Sequence, residues 1–121
     1  MFDIEFALRN ISYLKAHITG SSFICDPPVL NTDIDIVVLA NPHTLIDLIN
    51  DEWEMGEPYG GSQSFRKHLY NVILITSRDK FWKLVGATYA AKALNLQHKQ
   101  YRIDLFESMI NNSLLPIGGP F

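Results

Sequence analysis

Asp33-Ile34-Asp35-Ile36-Val37-Val38-Leu39 is the stretch on which the fold turns. Its first half alternates acid and isoleucine, the period of a β-strand, so Asp33 and Asp35 share one face while Ile34 and Ile36 turn to the core. Before it, Asp26-Pro27-Pro28 forbids regular structure and Asn31-Thr32 restarts the chain. Further upstream, Ile18-Thr19-Gly20-Ser21-Ser22-Phe23 reads as a short strand running into a turn, with Gly20 permitting close approach of its backbone to another group.

Outward from this centre the pattern turns helical. Phe2, Ile4, Phe6, Leu8, Ile11 and Leu14 recur at spacings near three and four, which predicts an amphipathic helix over residues 2–17, ending near His17. Downstream, Asn41-Pro42 fits a helix start with 44–49 as its body. Residues 53–63, with Gly56, Pro58, Gly60 and Gly61, read as a loop, and two strands follow over 64–69 and 71–76. Apolar positions from Phe81 to Leu94 mark a long helix over 79–94, and those from Tyr101 to Ile110 mark another over 99–111. The expected fold is α+β: a small mixed or antiparallel sheet packed against helices, with a C-terminal helical pair. One domain should cover residues 1–115, and 116–121 should form an irregular tail.

Composition narrows the class. A chain of 121 residues with 47% hydrophobic and 19% charged content is sized for one small module with a core, and falls outside the disordered and membrane classes. The run from Ile34 to Ala40 is broken by Asp35 and is far shorter than the roughly 20 residues that span a bilayer. Acids at Asp3 and Glu5 stand where a signal peptide would be basic, and a lone Cys25 has no internal disulfide partner; both point to the cytoplasm. The net charge of -3 is not that of a protein holding nucleic acid chiefly by its phosphates. Any anion site must therefore be local, and Arg66-Lys67-His68 or the spread of Arg78, Lys80 and Lys83 are the candidates.

Two features carry chemistry. Alternate acids on a strand can converge on one hard cation, which adjacent acids cannot do. A Gly-Ser turn offers a small backbone and a hydroxyl suited to phosphate oxygens. Singly, an Asp-x-Asp is commonly a solvated strand face; together the two features supply the parts that phosphoryl or nucleotidyl transfer requires, carboxylates for a cation and donors for phosphate oxygens.

On these residues, Thr19-Gly20-Ser21 through Asp33-Ile34-Asp35-Ile36, the chain resembles the nucleotidyltransferases of the DNA polymerase beta type. The stretches Ser64-Phe65-Arg66-Lys67, Asn71 to Ile75, Ala91 to Leu96 and Lys99 to Phe106 are similar to a small phage- or prophage-borne branch of that superfamily. The resemblance implies a nucleotidyltransferase fold, a nucleoside triphosphate gripped by Gly20 and Ser21, magnesium held by Asp33 and Asp35, and transfer of a nucleoside monophosphate to a hydroxyl of a protein, RNA or small molecule. Active members of the family add a third carboxylate from a neighbouring strand. Asn71 stands at that position, and it offers a neutral carbonyl but neither charge nor a basic site. Asp79 and Asp104 are the candidates to replace it. Without a third acid, the alternative is a catalytically degenerate fold that binds a host protein as a phage effector, or an antitoxin-like partner, in the host cytoplasm.

Other residues have plainer readings. On a strand Arg66 and Lys67 point to opposite faces, so at most one reaches the acids, and Arg66 is the triphosphate-clamp candidate. His17, His43, His68 and His98 lack metal-ligand spacing. Cys25 reads as a buried thiol, and Trp53, Tyr59, Trp82 and Tyr89 as packing aromatics.

Overall fold

The structure, a computed structural model, describes residues 4–25, 33–58 and 62–111, and within these not the side chains at 21, 22 and 109–111. The expectation for the tail at 116–121 and that for Tyr59 lie outside the described residues.

Two strands that read as almost continuous aliphatic runs, β2 (Ile34–Leu39) and β5 (Tyr70–Ile75), lie side by side and parallel at the centre of a five-stranded mixed sheet. Strands buried on both faces need such runs. β1 (Lys15–Thr19) adds antiparallel to β2, while β4 (Ser64–Lys67) adds antiparallel to β5 and β3 (Glu54–Met55) to β4, giving the order β1-β2-β5-β4-β3. The protein is thus α+β, as expected, with the sheet mixed rather than antiparallel.

Helices cover both faces. Against one face, α1 (Ile4–Ala7) and α3 (Thr44–Asn50) contribute Ala7 and Leu48 to a core with Ile36, Val38, Val72, Leu74, Phe65 and Trp53. Against the other, α2 (Ser21–Ile24), α4 (Arg78–Ala93) and α5 (Lys99–Asn111) bring Ile24, Phe81, Leu84, Val85 and Phe106 onto Val37, Leu39, Ile73 and Ile75. The odd-numbered residues of β2 and β5 all face α4 and α5, and Asp35 and Asn71 belong to that set. The C-terminal helical pair is α4 and α5. Ser77 caps α4 by accepting from the Lys80 N–H at 3.3 Å, and Asn95, at φ 49°, follows its C-terminal end.

The expected helix over 2–17 is corrected: among the described residues of that span helix is limited to Ile4–Ala7, and Lys15–Thr19 is strand. The cause lies in Ser12. Its N–H donates to Asp47 Oδ2 at 2.9 Å and its carbonyl accepts from Thr44 Oγ1 at 2.6 Å, so α3 takes both backbone groups that a helix would use. The Leu14 N–H then reaches the Leu39 carbonyl at 2.9 Å and starts the pairing of β1 with β2. Leu8 and Ile11, which suggested helical period, are buried in the α1–α3 core from a turn instead. The loop expected over 53–63 contains the short edge strand β3, closed by the Gly56 N–H on the Ser64 carbonyl at 2.9 Å.

Candidate active site

One transverse row of the sheet holds the site. Register aligns Thr19 of β1 with Asp35 of β2, Asp35 with Asn71 of β5, and Asn71 with Arg66 of β4. Paired residues present their side chains to the same face, so four neighbouring strands each set one polar group into a single line beneath α5. Glu54 of β3 pairs with Arg66 and continues the row, but it does not line the cleft.

The cleft over this row has a volume of about 260 Å³. Thr19, Gly20, Asp33, Asp35, Arg66 and Asn71 form its sheet side, and Lys99, Arg102, Ile103 and Phe106 of α5 form the opposite wall. Asp33 and Asp35 therefore face one space, as strand alternation required. Arg66 reaches Asp33 with an Nη2 to Oδ2 distance of 2.6 Å. Lys67 instead crosses to the other face, where its Nζ lies 3.2 Å from Asp51 Oδ2 and donates to the Asp51 carbonyl at 2.7 Å.

Asn71 donates from Nδ2 to Asp35 Oδ1 at 3.1 Å. Burial is the largest influence on the Asp35 carboxyl and pushes its pKa up; the Asn71 hydrogen bond opposes this, Asp33 reinforces it, and Arg66 and Arg102 oppose it. The net direction is upward. Asp35 is thus a carboxylate whose charge the fold only partly compensates.

Gly20 ends β1 at φ 80°, and its carbonyl accepts from the N–H groups of Phe23 at 3.1 Å and Ile24 at 2.9 Å, which turns the chain into α2. Its Cα faces Asp35: a Cβ there would stand 2.9 Å from Asp35 Cγ and 3.0 Å from Asp35 Cβ. Glycine is needed for both conformation and space. The role expected of Ser21 concerns a side chain outside the described set.

Neither candidate for a third carboxylate reaches the cleft. Asp79 pairs with Lys83 along α4 at 2.9 Å, and Asp104 accepts from Gln100 along α5 at 2.9 Å. Among the described residues no group of three His, Cys, Asp or Glu side chains converges as a metal site. The anion candidates also rearrange. Of Arg66-Lys67-His68 only Arg66 lines the cleft, none of Arg78, Lys80 and Lys83 does, and Lys99 and Arg102 are the cations that join Arg66 there. Neither is among the anion candidates that charge clustering suggests, although Lys99, Arg102, Ile103 and Phe106 carry the i, i+3, i+4, i+7 spacing of one helix face.

The remaining candidates have structural roles. Cys25 is buried beside Arg102, with Nη1 3.5 Å from Sγ. His17 bonds the Tyr89 hydroxyl at 2.8 Å within an edge-to-face cluster with Phe23. Trp53 is core and donates to Asp51 at 3.0 Å, and Trp82 packs edge-on against Phe81.

Among the described residues no helix is long and apolar enough to cross a membrane. No family model, no curated protein and no solved structure matches the chain.

Proposed function

We propose that the chain is a nucleotidyltransferase-type module of the cytoplasm that takes a nucleoside triphosphate and transfers the nucleoside monophosphate to a hydroxyl of a protein, RNA or small molecule. The observation that carries this reading is the row Thr19, Asp35, Asn71 and Arg66, backed by Gly20 and roofed by α5. It brings into one cleft the acid pair and the glycine turn that sequence resemblance links to this chemistry.

Two carboxylates on one strand face, one of them left partly uncompensated by burial, are a donor set that fits a hard divalent cation. Magnesium held by Asp33 and Asp35, with Asn71 turning its amide oxygen to the site, would neutralise charge on the phosphate oxygens. In the transfer the acceptor oxygen bonds the α-phosphorus, the bond from that phosphorus to the bridging oxygen breaks, and pyrophosphate leaves. Asn71 has no basic atom. With both acids engaged, the hydroxyl proton passes to water, and the transfer is slow.

The test is incubation with triphosphates labelled on the α-phosphate across protein, RNA and small-molecule acceptors, with magnesium. Labelled product from the wild type and none from Asp35→Ala supports transfer. No product with any acceptor removes it.

One observation favours a second reading. The hydrogen bond from Asn71 to Asp35 fills the place of a third acid with a neutral donor, which suits a degenerate site whose fold is kept to dock on a host protein. A stoichiometric partner retained by the double variant Asp33→Ala, Asp35→Ala in a lysate pull-down, together with absence of transfer, selects it.

A further inference from the structure

The acidity of the whole chain makes the charge of the cleft stand out. The protein carries a net charge of -3, yet the cleft is lined by three cations, Arg66, Lys99 and Arg102, against two carboxylates, Asp33 and Asp35. Each acid has a partner of its own: Asp33 pairs with Arg66, and Asp35 accepts from Asn71 and feels the charge of Arg102. Lys99 is the surplus charge. Among the described residues its ammonium has no ion-pair or hydrogen-bond partner.

Helix stability does not explain Lys99 either. It is the first residue of α5, where a cation opposes the helix dipole, and no acid in the first turn offsets it. Arg102, one turn later, is fixed rather than free. Its Nη1 donates to the carbonyls of Leu96 at 3.0 Å and Gln97 at 2.7 Å, which ties the first turn of α5 to the segment that follows α4. The guanidinium thereby holds α5 over the sheet row with Lys99 on the cleft side.

We propose that Lys99 is a polyphosphate-binding residue of this cleft, with Arg102 as the positioning residue that holds it there, so that the anion is gripped from α5 as well as from β4. This deepens the nucleotide-binding part of the proposed function and rests on that part alone; it does not require that transfer occur. Lysine suits the role as a compact charge with three donors that can follow the oxygens of a flexible phosphate chain.

Isothermal titration of the protein with inorganic tripolyphosphate, with and without magnesium, tests it. The wild type should bind, more weakly as salt rises. Lys99→Ala should weaken binding about tenfold, the effect of removing one hydrogen-bonded charge. Lys99→Arg should retain most of the affinity, Lys99→Glu should abolish it, and Lys80→Ala on α4 should bind as the wild type does. Because Lys99 is exposed, matching thermal unfolding of the variants will show that the loss is local. Failure of the wild type to bind tripolyphosphate, or binding by Lys99→Ala and Lys99→Glu as tight as that of the wild type, overturns the proposal. The two readings fail separately. Lys99-dependent binding without any transfer removes the enzyme and leaves this inference, whereas transfer whose KM for triphosphate is unmoved in Lys99→Ala removes the inference and leaves the enzyme.

Discussion

Gly20 lies against the Asp35 carboxylate so closely that a methyl group on Gly20 would stand 2.9 Å from Asp35 Cγ, while its backbone occupies the left-handed region at φ 80°. Gly20→Ala therefore meets two penalties, a conformational one and a steric one, and should destabilise the protein by roughly 1–3 kcal/mol. Chemical denaturation of Gly20→Ala in wild-type and Asp35→Ala backgrounds separates them. The penalty should shrink when the carboxylate is gone. Equal penalties in both backgrounds would show that the contact contributes nothing.

Asp35 is held where the fold disfavours its charge. Its folded pKa lies above the ordinary value of 3.8, so the native state binds more protons than the unfolded chain between those two values. Stability contributed by the protonated form is present below 3.8 and is lost as pH rises through the raised folded value. Asp35→Asn keeps an acceptor for Asn71 and removes the charge. It should be more stable than the wild type at neutral pH while losing the proposed nucleotidyl transfer, as sites that trade stability for function do. Thermal unfolding over acidic to neutral pH is the measurement, and a less stable variant at neutral pH would contradict the account.

Asn71→Asp sets a third carboxylate in the cleft, next to Asp35, and removes the donor now 3.1 Å from Asp35 Oδ1. In the absence of divalent cations the variant should lose roughly 1–3 kcal/mol. Magnesium should restore much of that loss, and the proposed transfer should quicken because a third acid is present. Melting curves with magnesium and with chelator decide it. Curves insensitive to magnesium in both proteins would argue against a cation at Asp33 and Asp35.

Acid unfolding should be governed on the other side of the sheet. Ser12 hydrogen bonds hold Asp47 below the ordinary 3.8. For Asp51 desolvation is the largest single influence and acts upward, but Trp53, Asn10 and Lys67 together outweigh it and bring the carboxyl below 3.8. Both groups therefore contribute stability that is present above 3.8 and is lost as pH falls through their depressed values. Asp51→Asn should flatten the acid limb of the stability profile and lower stability at neutral pH. Asp47→Asn should do the same to a smaller degree, its carboxylate being screened by solvent. An unchanged acid limb in the double variant would mean that other carboxylates control it.

Much of the architecture is legible because local patterns and tertiary demands agree. The runs Ile36 to Leu39 and Val72 to Ile75 are aliphatic on both faces because both faces are covered, and α3, α4 and α5 keep their apolar spacing because α3 and α4 pack on the sheet and α5 packs along α4 with Phe106 in the same core. The segment 8–17 fails for a reason that no local pattern carries: Thr44 and Asp47, more than thirty residues away, take the backbone groups of Ser12. The acid pair and the divergence of Arg66 from Lys67 are legible too, since a strand's period of two fixes them.

By itself the sequence determined the strand identity of Ile34 to Leu39, the shared side on which Asp33 and Asp35 lie, the glycine at the end of β1 and the helical character of residues 99–111. Those follow from backbone sterics and side-chain period, which act over a few residues. Tertiary structure alone decided that Thr19, Asp35, Asn71 and Arg66 share one row, that Asn71 gives its amide to Asp35, and that α5 closes the cleft with Lys99 and Arg102. Register between strands distant in sequence, and the docking of a helix across them, depend on contacts made only when the whole core has formed.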